Sequence, residues 1–438
     1  MKIDNWRNCM KKYRPRIADK ILQRKIASKG AVLIEGAKWC GKTTTACQIA
    51  KSVLYMQDPT QKQQNLELAE INPARLLQGE TPRLIDEWQL APKLWDAIRF
   101  EIDQRDEFSQ FILTGSAVPA DMSEISHTGT GRISHMLMRP MSLFESEEST
   151  GSVSLKELFD GHTDINGNNN LDIDLLSFII CRGGWPKSID APHEIALQQA
   201  IDYFDAIVNM DISRVDNVQR DAEKSKRLLR SYARAIGTQT KIPAITQDVL
   251  ANELEENENI SGRSVTINAY VNALKKIFVI EDTPAWNPNL RSKTAIRSSD
   301  TRYFTDPSIG IAAFGLGPQD LINDLNTMGL LFENLCIRDL KIYAEALDGN
   351  IYHYRDKNGL ECDAVIHLRN GSYGLIEIKL GGDSRILEGV ETLNRLASNI
   401  DTSKMKAPSF KMVLTGVGNY AYKRKDDILI VPIGCLRD

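Results

Sequence analysis

No apolar run in this chain approaches the ~18–20 residues that a bilayer-spanning helix needs. The basic opening stretch, MKIDNWRNCMKKYRPRIADK, has no apolar core behind it, so no secretory signal is expected. Cysteine is sparse: seven in 438 residues, an odd number without a C-x-x-C pair. That excludes a disulfide framework or a zinc ribbon and points to a reduced cytoplasm. Six histidines are scattered without metal-ligand spacing. Aromatic residues are only 7% of the chain, and Trp and Tyr fall at helical intervals, as core residues do. An excess of basic charge is missing too, with 54 Lys and Arg against 58 Asp and Glu and a net charge of −4. A chain that coats nucleic acid by bulk charge is excluded, and a local basic face stays open. No internal repeat is visible.

What is present is ordinary globular material, 42% apolar and 26% charged. The length exceeds one compact core and implies two or three domains. AVLIEG, PRLIDEW and FSQFILTGSA are short apolar runs of the kind a buried parallel strand shows. They alternate with helical stretches, KTTTACQIAKSVL, 61–78 and KLWDAIRFEIDQ. That alternation predicts a doubly wound α/β sheet.

Between the first strand and the first helix lies GAKWCGKTTT. Gly36-x-x-x-x-Gly41-Lys42-Thr43 fits the phosphate-binding Walker A pattern in its required strand–loop–helix context. Glycines let the backbone wrap until its N–H groups point at phosphate oxygens, and the helix N-terminus adds positive potential. The expected nucleotide-binding residues are Gly36, Ala37, Lys38, Trp39, Cys40, Gly41, Lys42, Thr43 and Thr44. Lys42 is expected on the β- and γ-phosphates, and Thr43 on Mg²⁺. Asp86 and Glu87 end the next strand: Asp86 is the expected second Mg²⁺ residue, and Glu87 the residue that polarises the attacking water. Thr114 or Ser116, closing the following strand, are expected to sense the γ-phosphate. Arg132 is a candidate charge stabiliser of the transferring phosphoryl group, with an ordinary surface arginine as the other reading.

YRPRIADKIL, GAKWCGKTTT, RLIDEWQLAPKLWDAIR, FILTGSA and GRISHMLMRPMSLFE together resemble the prokaryotic AAA-type ATP-binding proteins, in the order found in that family. GGWP, YFDAIVNMDISRV, LFENLCIRDL and YHYRDKNGLECDAVI…GLIEIKLG resemble the domain of unknown function that forms the family's second half. The resemblance spans nearly the whole chain. It implies ATP and Mg²⁺ as cofactors, ATP hydrolysis as the activity, and leaves a homo-oligomer open. The DINGNNN insertion and the Lys38-Trp39-Cys40 filling of the loop depart from the pattern.

A second constellation lies near the other end. Asp363 sits in one strand-like stretch, and Glu377-x-Lys379 in the next, after a turn at RNGSYG. Residues two apart share a strand face, so Asp363 on a paired strand could meet Glu377 and Lys379. Two carboxylates can bind Mg²⁺, and the lysine can position a nucleophile. The spacing resembles the PD-(D/E)XK nuclease core, and Glu333 on the preceding helix stands where some of those nucleases keep another acid. Cys362 replaces the usual proline. An amphipathic hairpin with solvated acids needs nothing more than this pattern, and fold does not settle activity.

Weaker signals complete the reading. Asp164-x-Asn166-x-Asn168 opens like a calcium loop, then Asn169 stands where a glycine is required and Leu175 where the bidentate acid belongs. TQDVLANELEENENISGRSVTINAYVNALKKIFVIEDTPAW has the helix–turn–helix–strand order of a winged helix. Arg263, Lys275, Lys276, Lys224, Lys226, Arg227 and Arg230 supply its basic groups, with Arg291, Lys293 and Arg297 beyond; they are either phosphate contacts or a wet helix face. The expected organisation is a P-loop, AAA-like parallel sheet with helices on both faces (1–145), a loop or lid (146–174), a helical, winged-helix-like region (175–325) and a small α/β, restriction-endonuclease-like domain (326–438). The expected function is a cytoplasmic Mg²⁺-dependent ATPase acting on DNA through the last domain. The alternative is a nucleotide-gated switch whose last domain only binds.

Overall fold

The computed structural model describes residues 13–117, 128–251, 260–287 and 299–438. By internal contacts the chain falls into two compact units, Met1–Pro140 with Met210–Gln219 and Ala273–Phe278, and the remainder.

In the first unit, β1 (Ala31–Glu35) has four consecutive buried apolar residues, as a strand covered on both faces requires. It lies inside a five-stranded sheet with β2 (Ser52–Tyr55), β3 (Arg83–Asp86), β4 (Phe111–Gly115) and β5 (Ile133–Leu137), in the order β2-β3-β4-β1-β5. Every neighbouring pair is parallel. Helices α1 (Ile17–Ile26), α2 (Lys42–Cys47), α3 (Lys62–Ile71) and α4 (Leu94–Arg105) flank it. Leu94, Trp95 and Ile98 of α4 bury against Leu33, Ile85 and Leu113 of the strands. The mixed α/β expectation holds. Because all strands run one way, the carboxyl ends of β1, β3 and β4 open on one edge, where such sheets bind ligands.

In the second unit, residues 146–174, expected as a loop or lid, are instead partly ordered into elements. β6 (Val153–Ser154), α5 (Leu155–Phe159) and β7 (Gly167–Asn168) lie within them. β7 also lies in the 164–168 stretch, whose calcium-loop pattern fails, and pairs with a strand near the C-terminus, so that segment is sheet edge. Helices follow: α6 (Ile173–Arg182), α7 (Pro186–Ile189), α8 (His193–Ala206), α9 (Ala222–Arg234), α10 (Ile242–Leu250), α11 (Ile260–Lys276), α12 (Pro307–Phe314), α13 (Pro318–Asn323) and α14 (Leu325–Ala346). FVIEDTPAW, read as a strand, makes only single bridges: Ile280 to Phe304, Thr283 to Thr301 and Ala285 to His353. Its proline and acids interrupt any longer ladder. Arg291, Lys293 and Arg297 lie outside the described residues.

The chain ends in β8 (Gly349–Arg355), β9 (Glu361–Leu368), β10 (Tyr373–Lys379), α15 (Asp383–Ser398), β11 (Phe410–Thr415), β12 (Tyr420–Lys423), β13 (Ile428–Pro432) and β14 (Leu436–Arg437). They build a small sheet in the order β7-β12-β13-β11-β10-β9-β8, while β14 pairs with β6. Val390, Leu393 and Leu396 of α15 cover Leu375, Val413 and Ile430 on one face of it. Among the described residues no helix is long and apolar enough to cross a membrane.

Candidate functional site

The loop 36–41 leaves β1 at its carboxyl end and enters α2. Gly36 is in a backbone conformation with φ +146°, and a Cβ there would stand 2.1 Å from the Met138 carbonyl oxygen. Only glycine lets the loop pass so close to the segment after β5. Gly41, with φ 104°, is the residue before α2. Ala37 and Cys40 are fully buried, and the Cys40 thiol donates to the Met138 carbonyl at 3.3 Å. Trp39, at the crest, takes a left-handed φ of 67° and is 48% exposed. The Lys42 ammonium is buried and donates to the carbonyls of Gly36 and Ala37 at 2.9 and 2.8 Å. Thr44 follows in the first turn of α2.

Two strands over, Asp86 closes β3 and Thr114 pairs with it in register on β4. The Thr43 hydroxyl donates to Asp86 Oδ1 at 2.6 Å, and the Thr114 hydroxyl donates to the same oxygen at 2.7 Å. The Glu87 amide in turn donates to Thr114 Oγ1 at 3.3 Å. Glu87 itself has a left-handed φ of 58°, which a non-glycine residue adopts only where neighbours hold it. The Ser116 hydroxyl donates to its carboxylate at 3.1 Å, and the Gln89 side-chain amide donates to the same carboxylate. Walker loop, Asp86, Glu87, Thr114 and Ser116 therefore come together at one edge of the sheet.

Arg132 does not join them. Its carbonyl accepts the Ala31 amide at the amino end of β1, the opposite edge of a parallel sheet from the loop. Its guanidinium is committed to Asp103 on α4 at 2.8 Å and lies in solvent. The GRIS stretch misled because it precedes a strand rather than following one.

Three residues near the loop escaped the sequence reading. Arg16 donates to the carbonyls of Cys40 and Arg139, both at 2.9 Å, and so clamps the loop from behind. Gln89 holds Glu87, two residues away in DEWQ. Asp211 pairs with Lys38 at 2.5 Å across 173 positions of sequence. It sits at the end of Ile207–Asp211, a π-helical turn inserted after α8. Nothing local in the sequence signals that pairing.

The C-terminal constellation also assembles. β9 and β10 are antiparallel, and the register Ile376 to Ala364 continues to put Glu377 opposite Asp363. The Lys379 ammonium stands 2.7 Å from Glu377 and 3.4 Å from Asp363. The Ile378 amide donates to Asp363 Oδ2 at 2.7 Å. Glu333 on α14 accepts the buried Tyr303 hydroxyl at 2.5 Å. Burial, and then the charge of Asp363, push the carboxyls of Glu333 and Glu377 up to about 8. Burial alone would lower Lys379, but Asp363 and Glu377 overcome it and hold it above the usual lysine range. Among the described residues no three His, Cys, Asp or Glu side chains converge closely enough to hold a metal ion. The Lys379 ammonium is the ion-pair partner of both strand carboxylates.

These acids tie stability to pH. Between about 4.5 and 8 the folded chain keeps protons on Glu333 and Glu377 that the unfolded chain has released. The folded state binds more protons there, so stability falls as pH rises through that window. Calorimetric melting should show the transition dropping by several degrees from pH 5 to pH 8. Glu333→Gln, which keeps an acceptor for Tyr303, should flatten the slope; an unchanged slope would contradict the assignment.

Residues 28–147 match the family described as an AAA domain. Residues 173–320 and 328–436 match two families described as domains of unknown function, DUF8612 and DUF4143. No curated protein matches the chain. Among solved structures, similarity extends to the Walker-type ATPase of Pyrococcus abyssi, with 14% identity and a TM-score of 0.39, covering 68% of this chain and 94% of that one. It also extends to a signal transduction ATPase with numerous domains and a tetratricopeptide repeat sensor from Pyrococcus horikoshii, with 13% identity and a TM-score of 0.20, covering 76% and 50%. The AAA match and the strand–loop–helix geometry support a P-loop ATPase domain.

Proposed function

We propose that this chain is an Mg²⁺-dependent ATPase working as a nucleotide-gated switch, with a C-terminal domain that binds rather than cuts. The observation that carries the ATPase reading is the convergence of the Thr43 and Thr114 hydroxyls on one oxygen of Asp86 beside the glycine loop. Thr43 Oγ1 and Asp86 Oδ1 are hard oxygen donors, the kind Mg²⁺ takes together with phosphate oxygens. When bound, the ion neutralises charge that builds on the transferring phosphoryl group. Backbone N–H groups of 37–44 cradle the phosphates. Lys42 exchanges two loop carbonyls for the β- and γ-oxygens, so its desolvated ammonium is ready at the site. Glu87, fixed by Ser116 and Gln89, orients the attacking water and draws its proton. Thr114 is fully buried and donates to Asp86, so its role is to position that carboxylate. Lys38, a loop residue, pairs with Asp211 in the π-turn, which gives a loaded loop a contact to alter elsewhere in the chain.

A second reading keeps the C-terminal domain as a nuclease. It is supported by the meeting of Asp363, Glu377 and Lys379 and by the shared electrostatics with Glu333. The burial of Glu377, 3% exposed and paired within the chain to Lys379, favours the first reading. The deciding experiment is Mg²⁺-dependent cleavage of branched, single-stranded and duplex DNA by wild type and Asp363→Ala, with and without ATP. No cleavage on any substrate, with ATP hydrolysis intact and dependent on Lys42, is the expected result. Cleavage that vanishes in Asp363→Ala would establish the nuclease instead.

A further inference from the structure

α9, α10 and α11 as far as Asn272 form a small helical group in the second unit, and the charge of these helices is opposite to that of the whole chain. α9 carries Lys224, Lys226, Arg227, Arg230 and Arg234 against Glu223; Lys226 pairs with Glu223 at 3.0 Å and Arg234 with Asp248 of α10 at 3.3 Å. α11 carries Arg263, Lys275 and Lys276 and no acid at all. The chain as a whole is net −4. α11 is seated on α10 by a Ser264 to Thr246 hydroxyl hydrogen bond of 3.2 Å, and on α9 by the Tyr270 hydroxyl, which accepts the Asp221 amide at 3.0 Å. Ile267, Tyr270, Val271 and Leu274 form its buried face. Those ties leave the opposite face outward: Val265, Asn268 and Asn272 are exposed at spacings of three and four, with Thr266 beside them. Val265 is 70% exposed, an apolar side chain with no partner in the core. At the first turns of α11, Lys224, Arg263 and Thr266 line a cavity of about 230 Å³ floored by Leu250 and Ile267.

We propose that this face of α11 binds double-stranded DNA, lying in the major groove with the Lys224–Arg263–Thr266 cavity seated on a backbone phosphate. The cavity joins two cations and a hydroxyl, the groups that hold phosphate oxygens. The exposed stripe supplies amides that pair with adenine edges and an apolar group that contacts the thymine methyl. A 17-residue helix is roughly 25 Å long, enough to follow the groove across several base pairs. Duplex RNA is the wrong partner, because its major groove is too narrow for a helix. An acidic protein would be served by the lysines but has no use for the Asn268 and Asn272 pair. The inference goes beyond the ATPase switch and does not rest on it.

The test is fluorescence anisotropy of a labelled DNA duplex with the full chain, without nucleotide or Mg²⁺, across a KCl series. The wild type should bind with an affinity that falls log-linearly with salt. Lys224→Glu with Arg263→Glu should weaken binding at least tenfold and reduce the salt slope. Should that double variant melt early, the milder Arg263→Gln should still lower the slope by about one. Asn268→Ala with Asn272→Ala should keep the slope and lose preference among sequence pools. Arg132→Ala, which removes an exposed cation of the first unit, should bind as wild type does, which separates this site from a general loss of positive charge. Unchanged binding in the charge variants, or equal binding of duplex RNA or polyglutamate, would overturn the proposal.

Discussion

Glu87→Gln should slow ATP hydrolysis by about 10²–10⁴-fold, the usual worth of a positioned general base, while ATP affinity stays near the wild-type value. The split follows from where Glu87 sits. It is one residue beyond Asp86, turned by its left-handed backbone away from the Thr43–Asp86 pair and toward Ser116. Its carboxylate has its own donors and does not hold the loop. An amide of the same shape keeps the Ser116 hydrogen bond but cannot accept the proton of water. A loss confined to kcat marks an interaction made only in the transition state. Arg132→Ala, in the same assay, should leave the rate within about twofold, since its guanidinium serves Asp103 at the other edge of the sheet. Steady-state kinetics of both variants reads the difference directly. An equal loss in the two would place the chemistry elsewhere.

Arg338→Met should destabilise the second unit by about 3–5 kcal/mol, the cost of stripping the partner from buried carboxylates. Arg338 is 1% exposed and lies 2.8 Å from Asp306 and 2.7 Å from Asp339, both fully buried. Those acids also organise backbone. Asp306 caps α12 through the Ser308 amide and accepts the Gly184 amide at 2.9 Å. Asp339 accepts the Leu143 amide at 2.8 Å. Burial already pushes the Asp339 carboxyl up to about 6, against the opposing pull of Arg338. Without the guanidinium one of the acids must take a proton or draw in water. Denaturant unfolding should show the loss, with a melting transition lower by on the order of ten degrees. A triple variant that also neutralises both acids, Arg338→Met with Asp306→Asn and Asp339→Asn, should recover part of it. A single variant that melts like wild type would contradict the triad's role.

The parts of the site readable in sequence were those carried by short segments. Gly36 to Thr43 is contiguous, and its meaning depends only on a strand before and a helix after. Asp86, Glu87 and Thr114 were readable because a parallel sheet lines up strand ends, so an acid or hydroxyl closing an apolar run lands at the same edge. The same rule corrected Arg132: it begins a strand, and β5, with polar Ser134 and His135 in its five residues, was too mixed to be seen as one. The Asp363–Glu377–Lys379 meeting was readable from the period of two within one hairpin, but the pairing of Lys379 with both acids was not, because side-chain placement depends on the packing of α15 over Glu377. Gly389 lets that helix approach until a Cβ there would stand 3.3 Å from Glu377 Cβ. Long-range partners stayed hidden altogether. Arg16 reaches Cys40 and Arg139, and Lys38 reaches Asp211, with no pattern linking those positions before the chain folds. The strands inside 146–174 were hidden too, since two-residue strands, Val-Ser and Gly-Asn, are too short to show a period of two.

The loop 36–44 with Asp86 and Glu87 is the proposed site of ATP binding and hydrolysis. Isothermal titration of ATP–Mg²⁺ into wild type and Lys42→Ala, with phosphate release followed on the same samples, tests it most directly. Wild type should bind and turn over ATP, EDTA should stop turnover, and Lys42→Ala should lose about 10²–10³-fold in rate. Wild-type protein that binds no nucleotide, or a Lys42→Ala variant that hydrolyses ATP at the wild-type rate, would contradict it.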